Sequence, residues 1–100
     1  MIKVKVKNED SFIKKITVTG HANYDIYGKD IVCAAVSSIV ITSCNMAAKI
    51  NPNSILLKEK EGFVDVSINV KDKFINMVFQ NMMEMLEELS KKYNKNVKII

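Results

Sequence analysis

Residues 2–7, "IKVKVK", alternate apolar and charged positions without a break. A period of two puts Ile2, Val4 and Val6 on one face of a β-strand and the lysines on the other. "NEDS" follows as a turn, and "FIKKITVT" over 12–19 reads as a second strand. There Phe12, Ile16 and Val18 share a parity that Lys14 interrupts. Residues 20–29, "GHANYDIYGK", carry two glycines and no period, which predicts a loop.

The pattern then changes. "IVCAAVSSIVITSCNMAAKI", 31–50, is small and apolar nearly all round, which predicts a largely buried helix. Asp30 is its natural N-cap. "NPNS" stops it, because Pro52 disfavours the helical region at Asn51. "ILLKEK" and "FVDVSINV" flank Glu61 and Gly62 as a hairpin, with Val64, Val66, Ile68 and Val70 in phase. A second helix is expected over 72–93, with apolar positions covering about two-thirds of its circumference at 100° per residue. One sheet in so small a domain cannot cover that much surface, so a homodimer is expected. "NVKII" is a short last strand. The order ββαββαβ predicts an α+β fold, a mixed sheet packed with two helices in a single domain, residues 1–100.

Composition narrows the class. An apolar content of 48% with 26% charged residues is that of a globular chain. No apolar run is read as reaching the about 20 residues needed to span a bilayer, and the N-terminus lacks a signal-peptide core. The expected setting is therefore cytoplasmic, with no membrane partner. The net charge of +4 raises the question of nucleic acid. Yet every basic residue is lysine, the lysines look scattered along the chain, and arginine is the better fork for phosphate and guanine edges. Nucleic acid is not the expected partner. Cys33 and Cys44 lie eleven residues apart on one predicted helix. That is roughly 16 Å at the helical rise, too far for a disulfide. With one histidine and no CxxC, no metal or cofactor is expected.

The candidate chemistry lies in "GHANYDIYGKDIVCAAVSS". With Asp30 as N-cap, Cys33 falls in the first helical turn, where unpaired N–H groups and the helix dipole favour an anion. Asp30 could also cap the Cys33 N–H. His21 follows Gly20 at the end of the second strand, and the loop between is long enough to bring an imidazole to the thiol, the minimum set for a thiol nucleophile with a base. Asp25 and Asp30 are both candidate orienters of the imidazole. Free N–H groups at the helix start, that of Cys33 included, could receive an oxyanion. Ser37, one turn on, either donates toward the sulfur or bonds back to the Cys33 carbonyl. Gly20 and Gly28 would let the loop move. Tyr24, Ile26 and Tyr27 form either an apolar lid over a peptide or an anchor for the loop. Cys44 reads as a small buried hydrophobe.

The stretch resembles the signature of the ribosomal-processing cysteine protease family. Gly20, His21 and Ala22, then Gly28, Asp30, Cys33, Ala34 and Ser37 match, and the likeness extends over essentially the whole chain. It implies a bacterial cytosolic homodimer that removes the N-terminal extension of the twenty-seventh large-subunit ribosomal protein, after an extension ending in an aromatic residue. It also implies Cys33 as nucleophile, His21 as base and then acid, and Asp30 and Ser37 as supporting residues. Two other readings stand beside it: a non-catalytic module docking on the ribosome or its RNA through lysines, and a redox sensor at Cys33.

Overall fold

The computed structural model of the chain covers residues 1–100. The elements run β1 (Ile2–Glu9), β2 (Phe12–Thr19), α1 (Ile31–Ile50), β3 (Ile55–Lys60), β4 (Phe63–Ile68), α2 (Lys73–Lys92) and β5 (Val97–Ile99). The five strands form one sheet in the order β3-β4-β2-β1-β5, in which β1 and β5 are parallel and every other pair antiparallel. This is the expected ββαββαβ order and mixed sheet. Asp10 and Ser11 join β1 to β2 with φ of 52° and 68°. Two successive positive φ values match the right-handed twist of a tight hairpin.

Both helices are capped by aspartate. Asp30 accepts the N–H groups of Val32 and Cys33, and Asp72 those of Phe74 and Ile75. Each cap meets donors that the first turn leaves unpaired. At the other end of α1 the Asn51 N–H donates to the Ala47 carbonyl, and Pro52 follows. The core joins the inner face of the sheet, Ile2, Val4, Ile16, Val18, Val66 and Ile68, to one stripe of each helix. Phe79, Met82 and Leu86 of α2 are fully buried in it. Each such side chain contributes about 1.5–3 kcal/mol of apolar transfer.

Four expectations change. Phe12 is half-buried, and Ile13 takes the core position instead. The register slips between Lys7 and Asn8, which pair with Lys15 and Ile13, so Lys14 is an extra residue in a β-bulge. A bulge reverses which residues face inward on its far side, and that is why Lys14 breaks the parity. The first helix is not largely buried: its buried residues form one stripe, Val32, Val36, Val40, Ser43, Cys44 and Ala47. Ile31, Ile41, Met46 and Ile50 are exposed, so the apolar surplus lies on α1 as well as on α2. By length and composition α1 is also long and apolar enough to cross a membrane, contrary to the expectation that no apolar run reaches that length. Here it packs against α2 and β3 along its buried stripe.

The fourth change concerns the lysines. Cross-strand partners share a face, and the registers put Lys3, Lys5, Lys7, Lys15, Lys58, Lys60 and Lys98 all on the outer face, away from the helices. They are gathered by pairing between strands distant in sequence, not by one element.

Candidate active site

The site is built where β2 ends, α1 begins and the β3–β4 hairpin turns. Gly20 leaves β2 with φ 92°, and its N–H donates to the Gly62 carbonyl at 2.9 Å, tying the strand end to the hairpin turn. A side chain at Gly20 would run into the carbonyl oxygen of Met1, so close backbone approach requires glycine there. The chain then turns inward at Ala22, which is 1% exposed. Its N–H donates to Cys33 Sγ at 3.3 Å, and its carbonyl accepts from Asn96 Nδ2 at 3.0 Å. The peptide beside His21 is thereby clamped between the thiol and the segment leading into β5.

Asp30 organises the other side. Its Oδ1 accepts from Val32 and Cys33, both at 3.0 Å, and its Oδ2 from Tyr24 at 2.9 Å and Asp25 at 3.3 Å. Partial burial pushes the carboxyl up, but the four backbone donors of Cys33, Tyr24, Asp25 and Val32 outweigh it and hold the group below the usual carboxylate range. One side chain thus caps the helix and ties the loop to it. This has two consequences for the expected chemistry. The Cys33 N–H is spent on the cap and is not free for an oxyanion. Of the two candidate orienters, Asp30 is fully engaged with backbone, while Asp25 lines the groove with its Oδ1 turned to the Ile26 N–H.

Between loop, helix and hairpin runs an open groove of about 960 Å³. His21, Cys33, Ser37, Gly20, Gly28, Asp30 and Tyr27 all line it. Cys33 is half-buried and His21 exposed. The sulfur's partner is the Ala22 N–H rather than the imidazole. The ring stands over the hairpin turn, where a Cβ built on Gly62 would lie 3.1 Å from His21 Nε2. Ser37 is exposed one turn beyond Cys33, and the serine of α1 that bonds back along the helix is Ser43, to the Ile39 carbonyl at 2.8 Å. Val36, Val40, Ile41 and Val64 give the groove its apolar part, Asp25, Glu59 and Glu61 its negative charge.

The three loop residues separate. Tyr27 is 91% exposed and borders the groove, whereas Ile26 faces solvent outside it. Tyr24 turns away, its ring edge-on to Tyr93 at 5.4 Å between centroids. Two participants escape the sequence, Asn96, which holds Ala22, and Gly62, beneath the imidazole; Ala22 stands in the matching stretch, but the role of its backbone N–H does not show there. Of these two, Gly62 carries a signal, as a turn glycine, and nothing local links it to His21.

A half-buried thiol in the first turn of a helix, sharing a peptide-sized groove with a histidine, defines on this α+β frame a hydrolase of the cysteine-protease class. The family model described as cysteine protease Prp matches residues 1–98, and the chain belongs to that family. It is 25% identical over 95 residues to the ribosomal processing cysteine protease Prp of Staphylococcus aureus, covering 92% of this chain and 90% of that one. Crystal structures of the S. aureus protease share the fold. The form with a covalently linked product peptide gives a TM-score of 0.91 at 24% identity, covering 99% of this chain and 97% of that one. The form with a substrate peptide gives 0.86 at 23% identity, covering 100% and 98%.

Proposed function

We propose that this protein is a bacterial cytosolic endopeptidase that removes the N-terminal extension of a large-subunit ribosomal protein precursor, the twenty-seventh in the standard naming. Residues 1–100 form its single protease domain, and it works as a homodimer. The reading rests on one observation: His21 and Cys33 line the same groove, with a backbone N–H already directed at the sulfur. The S. aureus relative supports the substrate class by its name and its peptide complexes. The apolar stretch of the groove supports an extension that ends in an aromatic residue. Ile41, Met46 and Ile50 on α1, with Phe74, Met77 and Met85 on α2, are exposed and support a second copy as partner.

The steps follow from the groups present. The Cys33 thiolate attacks the scissile carbonyl carbon, and the carbonyl oxygen takes the negative charge. The Ala22 N–H, 3.3 Å from the sulfur, is the donor we assign to that oxygen. His21 swings from above Gly62 to take the thiol proton and then gives it to the departing amine, so the C–N bond breaks and a thioester forms. Water, deprotonated by His21, hydrolyses the thioester to the carboxylate and restores the thiol. Asp30 holds loop and helix start in register throughout. Gly20 and Gly28 permit the loop movement, Ser37 lines the cleft beside the sulfur, and Tyr27 borders the bound peptide.

The test is incubation with the precursor and mass measurement of the product. Cys33→Ala abolishes cleavage, and His21→Ala lowers kcat about 10²–10⁴-fold, the usual weight of a general acid–base. Full cleavage by Cys33→Ala would show instead a non-catalytic module.

A further inference from the structure

The outer face of the sheet is a separate feature of the molecule. Cross-strand registers arrange it in rows. The first runs Lys98, Lys3, Thr19, Phe63 and Lys60 across all five strands. The second runs Lys5, Thr17, Asp65 and Lys58, and the third Lys7, Lys15, Ser67 and the exposed Leu56. Strands lie about 4.8 Å apart and same-face residues about 6.8 Å apart along a strand, so the first row spans roughly 19 Å. The one carboxylate in these rows is Asp65, which is 6% exposed. It is consumed within the face, accepting from Thr17 Oγ1 at 2.9 Å and pairing with Lys15 at 3.3 Å. The other lysines have no counter-charge in the rows.

Edge protection explains only part of this arrangement. Lysines on an edge strand deter edge-to-edge pairing, which would account for Lys58 and Lys60 on β3 and Lys98 on β5. Lys3 is on the part of β1 that β5 covers, since β5 pairs only with Ile2–Val4, whereas Lys5 and Lys7 lie beyond it where β1 is itself the edge. Lys3 stands directly opposite Lys98, and like charges so placed destabilise a sheet. A local cost without a local gain is the mark of a functional surface.

We propose that this face docks the phosphate backbone of an RNA helix. The chemistry is that of backbone contact and not of base reading. There is no arginine fork, and the one aromatic side chain in the rows, Phe63, already lies under Lys60 Nζ at 5.4 Å, so no ring is free to stack on a base. Point-charge lysines flanked by hydroxyls give affinity and orientation without sequence preference. RNA is the polyanion because the proposed substrate is a ribosomal protein, so that choice rests on the reading above. The protease would meet its precursor while held on folded RNA, with the helices on the opposite side of the sheet and the groove opening at the end of the first row, where Lys60 and Phe63 border it.

The test is fluorescence anisotropy of the full chain with a short RNA duplex across a salt series. Each neutralised phosphate contributes about 0.9 to the slope of log K against log salt, so four to six contacts weaken binding roughly several hundred-fold between about 50 and about 200 mM. The triple variant Lys3→Gln, Lys5→Gln, Lys98→Gln loses at least about tenfold in affinity and two to three from the slope. The control triple Lys91→Gln, Lys92→Gln, Lys95→Gln, of equal net charge at the end of α2, changes affinity less than about twofold, because those lysines lie off the sheet face. Equal loss in both triples, no binding of duplex RNA at low salt, or binding of phosphatidylglycerol vesicles in place of RNA overturns the proposal. Cleavage of the precursor is followed in parallel without RNA. Neither triple touches the groove, so failed cleavage with intact RNA binding would strike the protease reading and leave the docking surface standing.

Discussion

Cys33 and Cys44 lie on the same helix, yet their surroundings are opposite. Cys33 is half-buried in the first turn, beside a groove, with the Ala22 N–H on its sulfur. Cys44 is 5% exposed in the core, where burial, with a smaller contribution from the Glu59 charge, pushes its thiol up to about 11. Position on the helix, and not residue type, separates a candidate nucleophile from packing. The lower end of α1 meets a loop and a strand end that leave a cleft; the middle meets side chains that leave none.

That contrast is most directly challenged by alkylation. Raising the Cys44 thiol from 9.0 to about 11 cuts its thiolate fraction about a hundredfold near neutral pH, before access is considered. Iodoacetamide on the folded protein therefore adds one label, at Cys33, and cleavage is lost with it. In denaturant both cysteines react. A native protein labelled first at Cys44 would undo the comparison.

Much of this contrast is legible in the chain itself. The aspartate at 30 and the Asn51-Pro52 pair bound α1 at the residues observed, because a cap and a proline act within a few positions of themselves. The strict alternation of 2–7 likewise commits β1. Features that depend on distant pairing are not legible. The bulge at Lys14 reverses the inward parity of β2, so Phe12 and Ile13 exchange roles only when β1 is laid alongside. The lysine face exists only once five strands are in register. At the site, the helix-capping role of Asp30 is local and readable, but its second oxygen, which holds Tyr24 and Asp25, depends on how the loop folds back. Gly62 is forty-one positions from His21 in the chain, and only the hairpin's place in the sheet sets it beneath the ring.

Gly62 also gives the next largest effect. Its φ of 70° already disfavours any side chain, and an added Cβ would press on Nε2 at 3.1 Å. Gly62→Ala therefore displaces the imidazole, which stands at the open side of the groove and can shift. Relieving that contact takes a shift of a few tenths of an ångström, less than the about 1 Å misplacement that costs on the order of 10²-fold in rate. The expected result is a kcat lower by up to about tenfold, with the Cys33 alkylation rate little changed, since the sulfur's contact is the Ala22 N–H and not the hairpin turn. Equal losses in both measurements would mean that the turn supports the whole site rather than the ring alone.

The smallest effect tests what makes the lower end of α1 different at all. Asp30 is the one side chain that bonds both the helix start and the loop. Asp30→Ala removes the cap and frees the loop, costing about 0.5–2 kcal/mol, read as a lower Tm. Asp30→Asn keeps a capping oxygen and recovers most of that loss at neutral pH, because asparagine caps nearly as well. The two differ from the native chain in acid. The folded carboxyl titrates below its ordinary value of about 3.9, so its contribution is complete above that value and fades as the pH falls through the lower folded one. Thermal melts of the native protein across that window therefore lose a component that the asparagine variant never shows. An identical acid profile in the two proteins would mean that the carboxylate's charge adds nothing to the cap.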